Sequence, residues 1–418
     1  MRSLLMAALM PALAACQAPP RPASSASVAP AVRAAGTLTD QAPLDPADGV
    51  PGSGPALAIT YLSTDGVTGV GLVPVTGEVI YPAGTPPPGG WPIVAWAHGT
   101  VGIAAACAPS RNPHSVRDQD YLGAWLRRGF AIVATDYQGL GAGGTHPYLN
   151  ARAEAYSVLD GVRAALAGLP DLRDTIMLVG QSQGAGAAFA AASYAPAYAP
   201  TLDIRGTVAT GIPYMTPEIT KALMAGAHGG AGKTPKGQAD PVVAYALLIA
   251  AAEAGLDPAF DPSAAFTPRA MRAFRAASAT CLSGLLDIVR DDGLTRANSF
   301  RPTLPHVLAP ALKTMAFPTL KLAAPLFVGT GTEDRDVAPQ GQLLLVRDAC
   351  RAGTTVQAHL YRGLDHGQTV MASLPDSESF TRAVMSGAPV TPDCAPVARP
   401  ASAGPVESGK NMSALSEK

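Results

Sequence analysis

Charge is scarce in this chain: Asp, Glu, Lys and Arg make up 15% of its 418 residues, and 30 basic against 31 acidic side chains leave a formal net charge of -1. That balance gives no electrostatic footprint for a polyanion and points away from nucleic acid as a partner. The apolar run from Leu4 to Ala15 falls short of the ~20 residues that a membrane-spanning helix needs. No helix-like stretch carries His and Glu at ligand spacing, and the cysteines show no paired C-x-x-C, so the pattern of a metal centre is missing. The Gly-rich stretch GAGAAFA lacks the G-K-[ST] ending of a phosphate loop, and no cofactor is expected. Internal repeats are also missing.

What is abundant is apolar sequence, at 48% of residues, enough to bury a large core. The length suits one large domain with an insertion or two ordinary domains.

The opening MRSLLMAALMPALAAC has one Arg, an apolar run from Leu4 to Ala15 and small residues before Cys16, the layout of a secretory signal. Leu13-Ala14-Ala15-Cys16 resembles the bacterial lipobox, in which the chain is cut before the Cys and the thiol receives a lipid. That reading predicts a membrane-anchored lipoprotein facing the periplasm or cell surface; an ordinary signal peptide would release a soluble periplasmic or secreted protein instead. Both readings export the chain. An oxidising compartment makes Cys107, Cys281, Cys350 and Cys394 disulfide candidates, and four thiols allow three pairings. Cys350 with Cys394 would tie a C-terminal extension to the core, and Cys107 with Cys281 would tie a loop near the catalytic residues to an inserted segment. The alternative is four free buried thiols packing as small apolar side chains.

Residues 17–46 are rich in Pro, Ala and Ser without apolar period and are expected to form a flexible tether; residues 395–418 are expected to be a disordered tail. Between them, short apolar runs such as IVAWAH, FAIVAT, IMLVG, TVAT and LFVG are continuous rather than alternating, as parallel strands covered on both faces require. Helical stretches separate them, which predicts an α/β fold with a mostly parallel, doubly wound sheet over residues 47–211 and 318–394. Residues 212–317 are Ala-rich and helical, broken by Gly and Pro, and read as an inserted cap or lid. A scaffold insertion with no gating role is the plainer alternative.

The strongest local signal is TIMLVGQSQGAGAAFAAA, where a buried strand runs into Gly180-Gln181-Ser182-Gln183-Gly184 and directly into a small-residue helix. G-x-S-x-G in the context of strand, sharp turn and helix is a nucleophile elbow, which makes Ser182 the candidate nucleophile. A serine hydroxyl needs a base and the base needs an orienting carboxylate, expected in the chain order Ser, acid, His. His366, in the loop YRGLDHGQ, is the candidate base; His359 falls inside the preceding apparent strand. The acid should lie within GTEDRDVAP, where Asp334 fits better than Asp336 or Glu333. Asp336 is expected to be solvated or paired with Arg335. Oxyanion donors are expected from the backbone of Gln183 and from Thr100 in the turn His98-Gly99-Thr100, with His98 a structural hydrogen-bonder.

The stretches PIVAWAHGTVGIAAACAPS, GFAIVATDYQGLGAGGTHPYL and VLDGVRAA, with GTEDRDVAP and GLDHG further on, resemble the secretory lipase family of α/β-hydrolases. The resemblance implies hydrolysis of carboxylic esters, acylglycerols included, with Ser182, Asp334 and His366 in the triad positions and the region after Gly211 in the lid position. The segment Asp136-Tyr137-Gln138-Gly139-Leu140-Gly141 shares the resemblance and is assigned no chemistry, only a role in shaping the loop beside the pocket. A serine peptidase on the same scaffold would carry a propeller or a site for a charged peptide terminus, and neither is recognisable here. A non-enzymatic surface lipoprotein on a decayed hydrolase fold is opposed by the presence of all three triad candidates.

Overall fold

A computed structural model of the chain describes residues 33–216, 219 and 238–399. The expected signal segment with Cys16, most of the expected tether and the tail beyond residue 399 lie outside the described residues. The structure is one ten-stranded sheet in the order β1-β2-β3-β5-β4-β6-β7-β8-β9-β10. Its strands are β1 (Thr37–Pro43), β2 (Ala56–Thr64), β3 (Leu72–Ile80), β4 (Trp91–Ala97), β5 (Ala131–Thr135), β6 (Leu172–Gln181), β7 (Ile204–Thr210), β8 (Leu326–Gly331), β9 (Val356–Tyr361) and β10 (Ala398–Arg399). The pairs β1–β2, β2–β3 and β3–β5 are antiparallel, and every later neighbour pair is parallel.

The period of two along a strand decides what each helix covers. On β4, Ile93 and Ala95 join one buried cluster with Val158 and Leu159 of α2 (Ala151–Gly168) and Phe189 of α3 (Gln183–Tyr198). The intervening Val94 and Trp96 join a second cluster with Leu122 and Trp125 of α1 (Val116–Arg127) and Phe380 of the helix Leu374–Ser386. Both faces are therefore dry, which is why these strands read as unbroken apolar runs. Helix α3 is almost wholly buried because alanines and glycines let its axis lie close against the sheet. Helix α2 starts where the Asn150 side chain accepts a hydrogen bond from the Ala153 N–H, a cap that typically stabilises a helix by about 1 kcal/mol.

Between β7 and β8 the described residues are helical: α4 (Pro241–Leu256), α5 (Met271–Ala277), α6 (Leu282–Asp291) and short turns at Arg296–Ser299, Leu304–Val307 and Ala309–Thr314. They have their own apolar core, with Leu247, Phe266, Leu285 and Leu304 fully buried, and two residues from the sheet's loops, Ile103 and Tyr148, complete it. Two disulfides are present among the described residues. Cys107–Cys281 links the loop after β4 to the residue preceding α6, and Cys350–Cys394 links α7 (Pro339–Ala352) to the segment beside β9.

Two elements differ from the sequence expectation. Strand β1 lies inside the stretch 17–46 expected to be a tether, and β10 lies inside 395–418, expected to be a tail. Both are at sheet edges, where a strand is held by one neighbour and its outward side chains can stay polar, so TLTDQAP carries no apolar signal. No helix among the described residues is long and apolar enough to cross a membrane.

Candidate active site

The carboxyl ends of β4, β6, β8 and β9 open into one cavity whose lining includes Thr100, Ser182, Asp334 and His366. Ligands in open α/β sheets occupy this position, outside the carboxyl ends of the strands. Ser182 sits between β6 and α3 with φ 59° and ψ -122°, a backbone conformation that costs an ordinary residue of order 1–3 kcal/mol and persists only where its surroundings enforce it. Two glycines permit the turn. A Cβ on Gly180 would lie 2.0 Å from the Gly184 carbonyl oxygen, and one on Gly184 would lie 1.8 Å from that of Ala97. No side chain fits at either place, which is the physical content of G-x-S-x-G here. The Ser182 N–H donates to the Thr210 carbonyl oxygen at 2.9 Å, pinning the turn to β7.

His366 begins the helix α8 (His366–Ala372), which Asp365 caps by accepting a bond from the Gln368 N–H. Its Nδ1 donates to Asp334 Oδ2 at 2.7 Å. A carboxylate only accepts, so the imidazole proton rests on Nδ1 and Nε2 is left as the acceptor. Nε2 is buried with no hydrogen-bond partner among the described residues. Asp334 is 5% exposed and is held by three other donors: the N–H groups of Asp336 and Val337 at 3.0 and 2.8 Å, and Gln342 Nε2 at 2.9 Å. The other two acids in the loop point elsewhere. Asp336 accepts from the Tyr245 hydroxyl at 2.6 Å, in place of the expected solvation or Arg335 partner, and Glu333 is exposed. His359 lies on β9 against Phe327, its Nδ1 3.5 Å from Asp376.

The loop after β4 faces the elbow. Thr100 lines the cavity, and its hydroxyl is 2.7 Å from that of Tyr148. Gln183 opens α3, so its N–H is among those with no intrahelical acceptor. Its side chain turns into the core, where Nε2 donates to Glu154 Oε1 at 2.8 Å and to His146 Nε2 at 3.1 Å. His98 is buried with its ring 4.4 Å from that of Tyr137 and its Nδ1 2.7 Å from the Gly99 carbonyl oxygen; burial lowers its pKa. No group of three or more His, Cys, Asp or Glu among the described residues could hold a metal ion.

Several buried polar residues near the site had no local signal in the sequence. Asp136 accepts from the hydroxyls of Thr76 and Ser110 and from the Ser110 N–H, fixing the short helix Pro109–Arg111 beside the Cys107 disulfide. Glu78, 1% exposed, lies 2.8 Å from His114 Nε2. Burial raises the pKa of Glu78; burial opposes charge on His114, but the Glu78 contact overcomes it and raises that pKa too. Glu154 is pushed up to about 8 by burial. Only Asp136 fell in a motif visible beforehand, and its partners come from other segments.

Residues 116–232 match the family model of the secretory lipases. Among curated proteins, none matches the chain in sequence. Among solved structures, lipase A of Candida antarctica in its closed state is 20% identical, with TM-score 0.68 over 88% of this chain and 86% of that one. A protein from Legionella pneumophila is 18% identical, with TM-score 0.66 over 85% and 100%. The rice cell wall degrading esterase LipA from Xanthomonas oryzae, in a ligand-bound form, is 18% identical, with TM-score 0.62 over 84% and 98%. At these identities the structural likeness shows the α/β-hydrolase fold. The secretory lipase match over residues 116–232, seated on that fold, supports a carboxylic ester hydrolase.

Proposed function

We propose that the protein is an exported serine esterase working through Ser182, His366 and Asp334 by way of an acyl-enzyme. The observation that carries this reading is the 2.7 Å contact of Asp334 with His366 Nδ1, which turns an unpartnered imidazole Nε2 toward acceptor chemistry in the cavity that also holds Ser182 at its strained turn. Ser182 Oγ attacks the ester carbonyl carbon as His366 Nε2 takes its proton. The carbonyl π pair moves to oxygen, and the oxyanion is met by the N–H groups of Gln183 and Thr100. Collapse breaks the bond to the alcohol oxygen, which leaves with the proton from His366. Water then attacks the acyl-enzyme with His366 again as base, releasing the carboxylic acid and restoring Ser182. Asp334 stays ionised, holds the tautomer and stabilises the imidazolium.

The helical segment between β7 and β8 acts in this reading as a cap over the site. Cys281, Leu282 and Leu286 of that segment already line the cavity, which supports the assignment. Export follows from the family match together with the opening sixteen residues, and Cys16 is the proposed lipid attachment point, placing the enzyme at a membrane surface.

The test is hydrolysis of p-nitrophenyl esters from short to long acyl chains by the full-length protein and by Ser182→Ala. Turnover that falls by about 10⁶ in the variant supports the reading, and the chain-length optimum separates esterase from lipase. Equal turnover in both proteins would sink it.

A further inference from the structure

The two N–H groups proposed to meet the oxyanion come from different turns, and their usefulness depends on holding both about 2.7–3.1 Å from one oxygen. A single segment touches both turns. It runs from Tyr137, two residues beyond β5, through His146 and Tyr148 to Glu154 in the first turn of α2. On the elbow side, both amide hydrogens of Gln183 are taken: Nε2 donates to Glu154 Oε1 at 2.8 Å and to His146 Nε2 at 3.1 Å. His146 Nδ1 donates to the Gln138 carbonyl oxygen at 2.8 Å, which fixes the tautomer that lets Nε2 accept. Glu154 Oε1 also accepts from the Leu149 N–H at 2.9 Å, closing the segment on itself. On the other side, the Tyr148 hydroxyl meets the Thr100 hydroxyl at 2.7 Å, and the Tyr137 hydroxyl donates to the His98 carbonyl oxygen at 2.9 Å.

We infer that this segment is the device that sets the spacing of the oxyanion hole, with Glu154, His146 and Tyr148 as positioning residues for the hydrolysis. The inference rests on the reading of Gln183 and Thr100 as the oxyanion donors. Burial makes the device rigid: Glu154 is 2% exposed, His146 1% and Tyr148 7%. It also keeps the clamp neutral, since burial lowers the His146 pKa to about 4 and raises that of Glu154 to about 8. At neutral pH a protonated Glu154 keeps Oε1 free to accept both of its bonds, so no charge sits beside the elbow to compete with the oxyanion. A clamp that only supplied cohesion would have no reason to touch both donor turns. Here four residues, Tyr137, His146, Tyr148 and Glu154, reach across to them from one stretch of chain.

The experiment compares kcat, KM and melting temperature of full-length Tyr148→Phe, Glu154→Ala, Glu154→Gln and Ser182→Ala on the best p-nitrophenyl ester. Tyr148→Phe removes one hydroxyl, and Glu154→Ala removes the acceptor; each is expected to lower kcat by about tenfold or more with KM within about threefold, a fraction of the 10²–10³ that a lost donor costs. Glu154→Gln keeps an acceptor of the same shape and restores kcat to within about threefold. Should Glu154→Ala fail to fold, Tyr148→Phe carries the test. Wild-type kcat in Tyr148→Phe and in folded Glu154→Ala, or a change confined to KM or melting temperature, would overturn the inference while Ser182→Ala stays inactive. Retained turnover in Ser182→Ala would instead bring down the underlying oxyanion reading and the clamp with it.

Discussion

Asp334 and Asp336 are two residues apart on one loop and have entirely different partners. Asp334 receives four donors, one of them the imidazole, whereas Asp336 meets the Tyr245 hydroxyl of α4. Amide in place of carboxylate at Asp334 would keep the shape but present an N–H₂ to His366 and favour the wrong tautomer, a change that costs about 10⁴ in kcat where a triad depends on it. Asp334→Asn is therefore expected to lose about four orders of magnitude in ester turnover, with Asp336→Asn within about tenfold of the parent. Parallel progress curves on one ester settle it. Comparable losses in both variants would mean that the loop as a whole, not the Asp334–His366 contact, is what activity requires.

At the scale of elements, the loop after β4 is held to the helical insertion at three points. Cys107 is bonded to Cys281, the Leu282 N–H donates to the Val101 carbonyl oxygen at 2.8 Å, and Gly102 pairs with Cys281 as an isolated bridge. The disulfide closes 174 residues of chain, for which the chain-entropy picture gives about 5 kcal/mol. Replacing Cys107 and Cys281 by Ser is expected to lower the melting temperature and also kcat, because the loop that carries Thr100 loses its tether. The pair Cys350 and Cys394, at the C-terminal end of α7, should affect melting alone; scanning calorimetry beside ester kinetics distinguishes the two. These pairings were among the three the sequence allowed, and only the fold selects between them. Strands were easier to read: β4, β5 and β8 announce themselves because both of their faces are buried. Strand β1 was illegible because an edge strand with polar outward residues looks like linker, and β6 starts four residues before its apolar run, at Leu172, which pairs with Trp91 ahead of an irregularity in the register.

Over the whole molecule, two apolar clusters sandwich the sheet and a third fills the insertion, with Tyr148 belonging to the third while bonded to Thr100 beside the first. The site is thus assembled from parts with unequal visibility in sequence. The elbow is a local pattern, and chain order narrows the acid and the base to one loop each. The Gln183, Glu154 and His146 cluster was not legible, since its members are spaced 29 and 37 residues from Gln183 and Glu154 reads as an ordinary polar position in a helix. Its glutamine was visible only as the residue after the nucleophile.

Acylation of Ser182 through His366 is tested most directly by intact-protein mass spectrometry after treatment with a p-nitrophenyl alkylphosphonate, followed by peptide mapping. One phosphonyl adduct is expected, on Ser182, absent in Ser182→Ala and formed far more slowly in His366→Ala. An adduct at another residue, or one that forms at the parent rate without His366, would contradict it.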